Sequence, residues 1–203
     1  FLKSEYSASN EMLMFNIDAV LFAKPDRGGT WNLSHFWPSQ MVSTLAHEFT
    51  HMVYFYQHQV LRDLDGDIAI NEMCAQCVED LVANKIEADG PRGVPYAAAS
   101  AGANRNIEGR LPLFNSYNNY EFLDWNRKDD NQTLTNYSKT YALGAYLMRN
   151  YGGANFIRKL IQNDYTGAAS IVEAVNANGG AASSYGDVLQ QFGAAYLLSD
   201  KMD

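Results

Sequence analysis

LAHEFTHMVYFYQ, residues 45–57, holds two of the chain's four histidines, spaced four apart with a glutamate beside the first. In a helix, positions i and i+4 share a face, so His47 and His51 can grip one metal ion while Glu48 stands next to it. The surrounding residues fit such a helix. Pro38 sits where a first turn tolerates it, and Met41, Leu45, Phe49, Met52 and Tyr56 recur at spacings of three and four. This reading makes those five the buried stripe and turns the histidines away from it, His47 lying about 200° round from Leu45.

The chain can support a packed domain around such a helix. It has 203 residues, 47% hydrophobic and 13% aromatic, enough apolar surface to offset the entropy of ordering. A net charge of -8 and the lack of any basic run exclude a polyanionic partner such as nucleic acid. No stretch of eighteen apolar residues exists, so no membrane span is expected. The opening FLKSEYSASN lacks an initiator Met, a basic region and an apolar region, which reads as a processed chain or an excised domain.

Outward from the histidines, EMLMFNIDAVLF at 11–22 is partly alternating, as for a strand with one buried face, and ends at the turn signal AKPDRGG. After DLDGD, a second helical pattern begins in IAINEMCAQCVEDLVANKIEA, with Ile70, Met73, Cys77, Leu81 and Ile86 as its apolar positions. Residues 90–120 are rich in Pro, Gly, Ala and Asn and read as a long irregular segment. From Leu134 the chain reads as short helices separated by YGG, NDYTG and NANGG. The expected fold class is α+β and mainly helical, in one domain over 1–203. Its parts are a metal-binding lobe at 1–89, an irregular cleft loop at 90–133 and a helical lobe at 134–203.

A catalytic zinc needs three protein ligands, an open position for water and a base for that water. Glu72 supplies the missing ligand. It follows His51 after twenty intervening residues, enough for one helix to end and a second to pack antiparallel with its first turn facing the histidines. Glu79 shares a face with Glu72, and Glu79 or Asp80 is expected to accept a hydrogen bond from the far nitrogen of a ligand histidine, with Gln76 between the carboxylates. Cys74 and Cys77 form a lone C-x-x-C without the second pair or strand context that zinc knuckles and redox motifs require, so a structural pair is expected. Asp63, Asp65 and Asp67 begin like a calcium loop, but Ile68 and Cys74 stand where Gly and Glu are required, leaving an Asp-Gly turn.

With these residues in place, SNEMLMFNID through LAHEFTHMVYFYQ to NEMCAQCVEDLVANK resembles the hyicolysin family of secreted bacterial zinc metallopeptidases, and TYALGAYLMRNYGGANFIRKLI extends the likeness over most of the chain. HExxH followed by NE also resembles the wider gluzincin pattern. The resemblance implies a zincin-like domain, a Zn2+ cofactor held by His47, His51 and Glu72, Glu48 as general base, a peptide or protein substrate, and secretion. By likeness to aminopeptidase N relatives it also implies Tyr141 as the donor to the oxyanion, with Gly144 at a matching glycine. All four histidines precede residue 59, so a tyrosine or arginine must supply that donor, and Tyr137 and Tyr146 are rivals.

The chain departs from those relatives in two places. Gln76 stands where thermolysin-like enzymes carry an Asp, and Glu11 lacks the Gly and Asn that flank the amine-binding Glu of aminopeptidases. An endopeptidase is therefore expected, with Met12–Asp18 lining the cleft and pairing with an extended substrate. The alternatives are an aminopeptidase and a non-catalytic, adhesin-like binding domain with a relic zinc site.

Overall fold

In a computed structural model, the described residues are 37–86, 91–92, 109–119, 121–125 and 130–198. They form seven α-helices and one π-helical turn, with no strand among them. The expected N-terminal β element, Glu11 and half of the 90–133 loop lie outside the described residues.

Helix α1, Trp37–Phe55, runs into a π-helical turn at Tyr56–Val60, and Ile68–Lys85 forms α2. The two pack antiparallel, as expected, since His47 meets Glu79 near the end of α2 while His51 meets Asn71 near its start. Asp67 opens α2 by accepting a hydrogen bond from the Ile70 amide at 3.0 Å, which satisfies one of the first-turn N–H groups. In the loop before it, the positive φ falls on Asp63 rather than on a glycine.

Among these first elements, α2 is the central one. Ile70, Met73, Cys74, Ala75, Gln76 and Cys77 are all fully buried, because α1 covers one side and α4, Asp130–Asn150, covers another. Cys74 and Cys77 are free thiols inside this packing, where burial pushes both thiols well up. Gly144 is the point of closest approach. A Cβ there would lie 2.5 Å from Met73 Cγ and 2.7 Å from Cys77 Sγ. Gly144→Ala is therefore expected to lower stability by about 1–3 kcal/mol through overpacking. A fall in the urea midpoint with unchanged slope is the measurement that checks this.

Residues 90–120 are not irregular throughout. Arg110–Ser116 forms a short helix, α3, packed on α4. Pro112 is its third residue, where the missing N–H would have no intrahelical partner anyway. The segments that follow obey the expected punctuation: α5 is Ala154–Gln162, α6 is Gly167–Asn176 and α7 is Tyr185–Leu198. Gly152 and Gly153, both at positive φ, make the turn between α4 and α5. Phe114, Phe122, Tyr146, Phe192 and Tyr196 form an aromatic cluster joining α3, α4 and α7.

One expectation is reversed. Leu45, Phe49 and Tyr56 are 41%, 47% and 49% exposed, while Thr50, Tyr54 and His58 are buried beside the half-buried His47 and His51. The histidine face of α1, not the Leu45 face, packs on α2. The apolar residues of α1 gather on one side, which periodicity selects as the buried one, but the side that packs on α2 is the one whose histidines meet Glu72, Glu79 and Asn71.

The π-helical turn carries His58 into the core. Its ring stacks on Tyr54 with centroids 4.1 Å apart, and neither ring nitrogen has a hydrogen-bond partner of good geometry. Burial, and then the charge of Arg62, lower its pKa, outweighing the nearby Ile161 and Leu160 carbonyls. A histidine whose folded pKa lies below its unfolded value of about 6.5 stabilises the fold above that pH and stops doing so as the pH falls through it. Between pH 7 and 5 the wild-type urea midpoint is expected to fall more steeply than that of His58→Phe, in which the stack survives without the titration.

Candidate metal centre

The antiparallel packing of α1 on α2 brings together the three residues that the sequence spacing nominated. His47 Nε2 lies 3.5 Å and His51 Nε2 3.6 Å from the same oxygen, Oε2 of Glu72. Among the described residues, this is the one group of three metal-ligating side chains, its ligand atoms all within 4.8 Å of one another. Asp63, Asp65 and Asp67 form no such group.

The opposite edges of the two imidazoles are also held. Nδ1–H of His47 donates to Glu79 Oε2 at 3.1 Å, and Nδ1–H of His51 donates to Asn71 Oδ1 at 2.9 Å. In the neutral Nδ1–H tautomer, each Nε2 is the lone-pair nitrogen facing Glu72. The rings meet edge to face, 4.8 Å apart and inclined at 82°.

These residues fit a zinc-type ion. Ligands about 2.0–2.2 Å from a tetrahedral centre stand about 3.4 Å from each other, close to the two nitrogen–carboxylate separations found, and the donor set is two imidazole nitrogens and one carboxylate oxygen. Glu72 Oε2 itself is buried with no hydrogen-bond partner. A buried carboxylate oxygen left open in this way is costly unless a cation meets it. Without an ion, burial would lower the His47 pKa, but Glu72 and Glu79 outweigh that and raise it to about 9. Metal binding must therefore displace a proton near neutral pH.

The other nominated residues are divided. Glu48 is half-buried on the same helix and close enough to Tyr137 for its charge to act on that phenol. Tyr137, rather than Tyr141, reaches toward the ligand set, its hydroxyl 3.5 Å from Glu72 Oε1. Tyr141 lies one turn further along α4, fully buried, with an unpartnered hydroxyl in the neighbourhood of Asp80 and Arg149. Tyr146 is taken up by packing against Phe192.

Asp80 lies one residue, about 100°, round from Glu79 and faces away from the histidines. It binds Arg92 at 2.6 Å and Arg149 at 3.1 Å. Gln76 braces α2 against α4, donating to the Glu72 carbonyl and to Thr140 Oγ1, each at 3.2 Å.

Two neighbours escaped the sequence reading. Asn71 was legible in principle, because a second ligand histidine needs its own acceptor and the first turn of α2 is within its reach. Arg110 was not. It enters from α3, with its guanidinium carbon 4.9 Å from the centre of the Tyr137 ring, while Trp125 meets the same ring edge-on at 5.2 Å.

A helical scaffold that presents two histidines and a glutamate, with a second glutamate beside the first histidine, defines a candidate mononuclear metal site of the hydrolase type. The Peptidase M30 family model matches residues 4–199, and the chain belongs to that peptidase family. No curated protein and no solved structure matches the sequence.

Proposed function

We propose that this chain is a zinc-dependent endopeptidase of gluzincin type, secreted, as the hyicolysin resemblance implies. The observation that carries the reading is the unpartnered, buried Oε2 of Glu72 facing both histidine Nε2 atoms, whose far nitrogens are already engaged. Family membership supports peptide or protein substrates. Among the described residues, no helix is long and apolar enough to cross a membrane.

His47, His51 and Glu72 would hold the ion. When bound, zinc supplies a Lewis acid that polarises the scissile carbonyl and lowers the pKa of water. Glu48 takes the proton from the attacking water and passes it to the departing amine. Tyr137 donates its hydroxyl to the carbonyl oxygen as negative charge develops there, and burial followed by the neighbouring Glu72 raises its pKa, keeping it protonated for that task. Glu79 and Asn71 accept from the two Nδ1–H groups and so fix the ring orientations, turning each Nε2 toward Glu72.

The test pairs metal content by mass spectrometry with cleavage of two substrates, a peptide blocked at both ends and an amino-acid amide with a free N-terminus. About one zinc per chain and cleavage of the blocked peptide are expected. Cleavage of the amide alone would make the enzyme an aminopeptidase. Bound zinc with no cleavage of a broad peptide library would leave a binding domain.

A further inference from the structure

We propose that Arg110 is a positioning residue of the metal site, which holds the Tyr137 phenol against Glu72 and sets a permanent positive charge beside it. This rests on the peptidase reading above and extends it to a residue outside the metal motif.

The arrangement forms a closed circuit. Asp80 on α2 fixes Arg92 through its guanidinium at 2.6 Å. The backbone carbonyls of Pro91 and Arg92 then accept from the amides of Arg110 and Leu111, both at 3.0 Å, which anchors the start of α3. From there the Arg110 guanidinium reaches over the Tyr137 ring at 4.9 Å, within the range of a cation–π contact. Tyr137 in turn points its hydroxyl to Glu72, back on α2.

Two observations separate this from ordinary packing. Arg110 Nε is buried without an acceptor, which costs stability, so the side chain is poorly explained as a folding device. The site it flanks is also heavily acidic. Glu48, Glu72 and Glu79 outnumber the charge of a divalent ion, and Glu79 and Glu72 both act on the Arg110 charge. An oxyanion forming in such surroundings is opposed by the carboxylates, and a fixed cation at the edge of the site offsets them.

The two effects of this charge have opposite signs, which makes them testable. A nearby cation weakens binding of another cation but favours turnover. Zinc affinity, by competition with a chromogenic chelator, and kcat on a blocked, internally quenched peptide would be compared in wild type, Arg110→Met, Arg110→Lys, Tyr137→Leu and the double variant Arg110→Met/Tyr137→Leu. Arg110→Met is expected to bind zinc at least as tightly as wild type while kcat falls about 10- to 100-fold, and Arg110→Lys to recover most of the loss. In the Tyr137→Leu background the same change should cost clearly less than in wild type, because the part of the effect that runs through Tyr137 is already gone and only the direct effect of the charge remains.

Unchanged kcat in Arg110→Met, or full additivity with Tyr137→Leu, would overturn the proposal. A joint loss of zinc affinity and kcat would mean a structural role and overturn it too. Should Arg110→Met fail to fold, Arg110→Gln takes its place, and unfolding of both would overturn it likewise. Wild type that binds zinc and cleaves nothing would overturn the peptidase reading and this proposal with it, whereas an active wild type with an unaffected Arg110→Met removes this proposal alone.

Discussion

Glu48→Gln is expected to keep one zinc per chain and to lower kcat by a factor on the order of 10²–10⁴. The amide is nearly isosteric with the carboxylate, and Glu48 is not among the three residues whose ligand atoms converge. Metal content should therefore not change. What is lost is a group that accepts a proton from water and returns it to the leaving amine, and an amide does neither at neutral pH. The loss should appear in kcat and kcat/KM alike, because the contribution is made only in the transition state. Full activity in the variant, with zinc retained, would remove Glu48 from the mechanism.

The second large effect is expected from Glu72→Ala, which should lower zinc affinity by well over about 100-fold and abolish cleavage with it. Losing an outer partner of a ligand histidine typically costs about 10–100-fold, and a direct ligand is worth more. Without Glu72, His47 and His51 leave an ion two protein donors. The metal-free variant is expected to melt close to metal-free wild type, since it loses the ion pair with His47 and the contact with Tyr137 but also the cost of burying the carboxylate. Equal melting temperatures of the two metal-free proteins, beside a large difference when zinc is supplied, would separate ligand loss from a folding defect. A variant retaining stoichiometric zinc at wild-type affinity would exclude Glu72 from the site.

Together the two expected results would separate proton transfer from ion binding. They also show how unevenly the site could be read in advance. Glu79 was nominated as an acceptor for a ligand histidine and meets His47, while Asp80, nominated beside it, is turned about 100° to serve Arg92 and Arg149. Sequence neighbours on a helix face different ways, and the choice between them depended on where α1 lay across α2.

Which tyrosine stands nearest the site depended on tertiary structure in the same way. Tyr137 and Tyr141 are one turn apart on α4, and nothing local to either decides which approaches Glu72. The offset of α4 along α2 decides it, and that offset is set where Gly144 nests against Met73 and Cys77. Resemblance to distant relatives nominated Tyr141. The packing left it buried, with its hydroxyl unpartnered, and put the Tyr137 hydroxyl 3.5 Å from the ligand carboxylate.

By itself, the sequence determined what periodicity and spacing can determine. A repeat of 3.6 residues put His47 and His51 on one face. Twenty intervening residues allowed a helix, a reversal and a second helix that opens with Asn71 and Glu72. The runs YGG, NDYTG and NANGG ended helices where glycine and asparagine relieve the backbone. Tertiary structure alone decided that the histidine side of α1, not its apolar side, packs on α2, which tyrosine meets the site, and that Arg110, distant in sequence, stands beside it. Local rules act over one or two helical turns, whereas these three outcomes depend on how far one helix slides and rolls against another, and that is fixed by side-chain volumes meeting across the core.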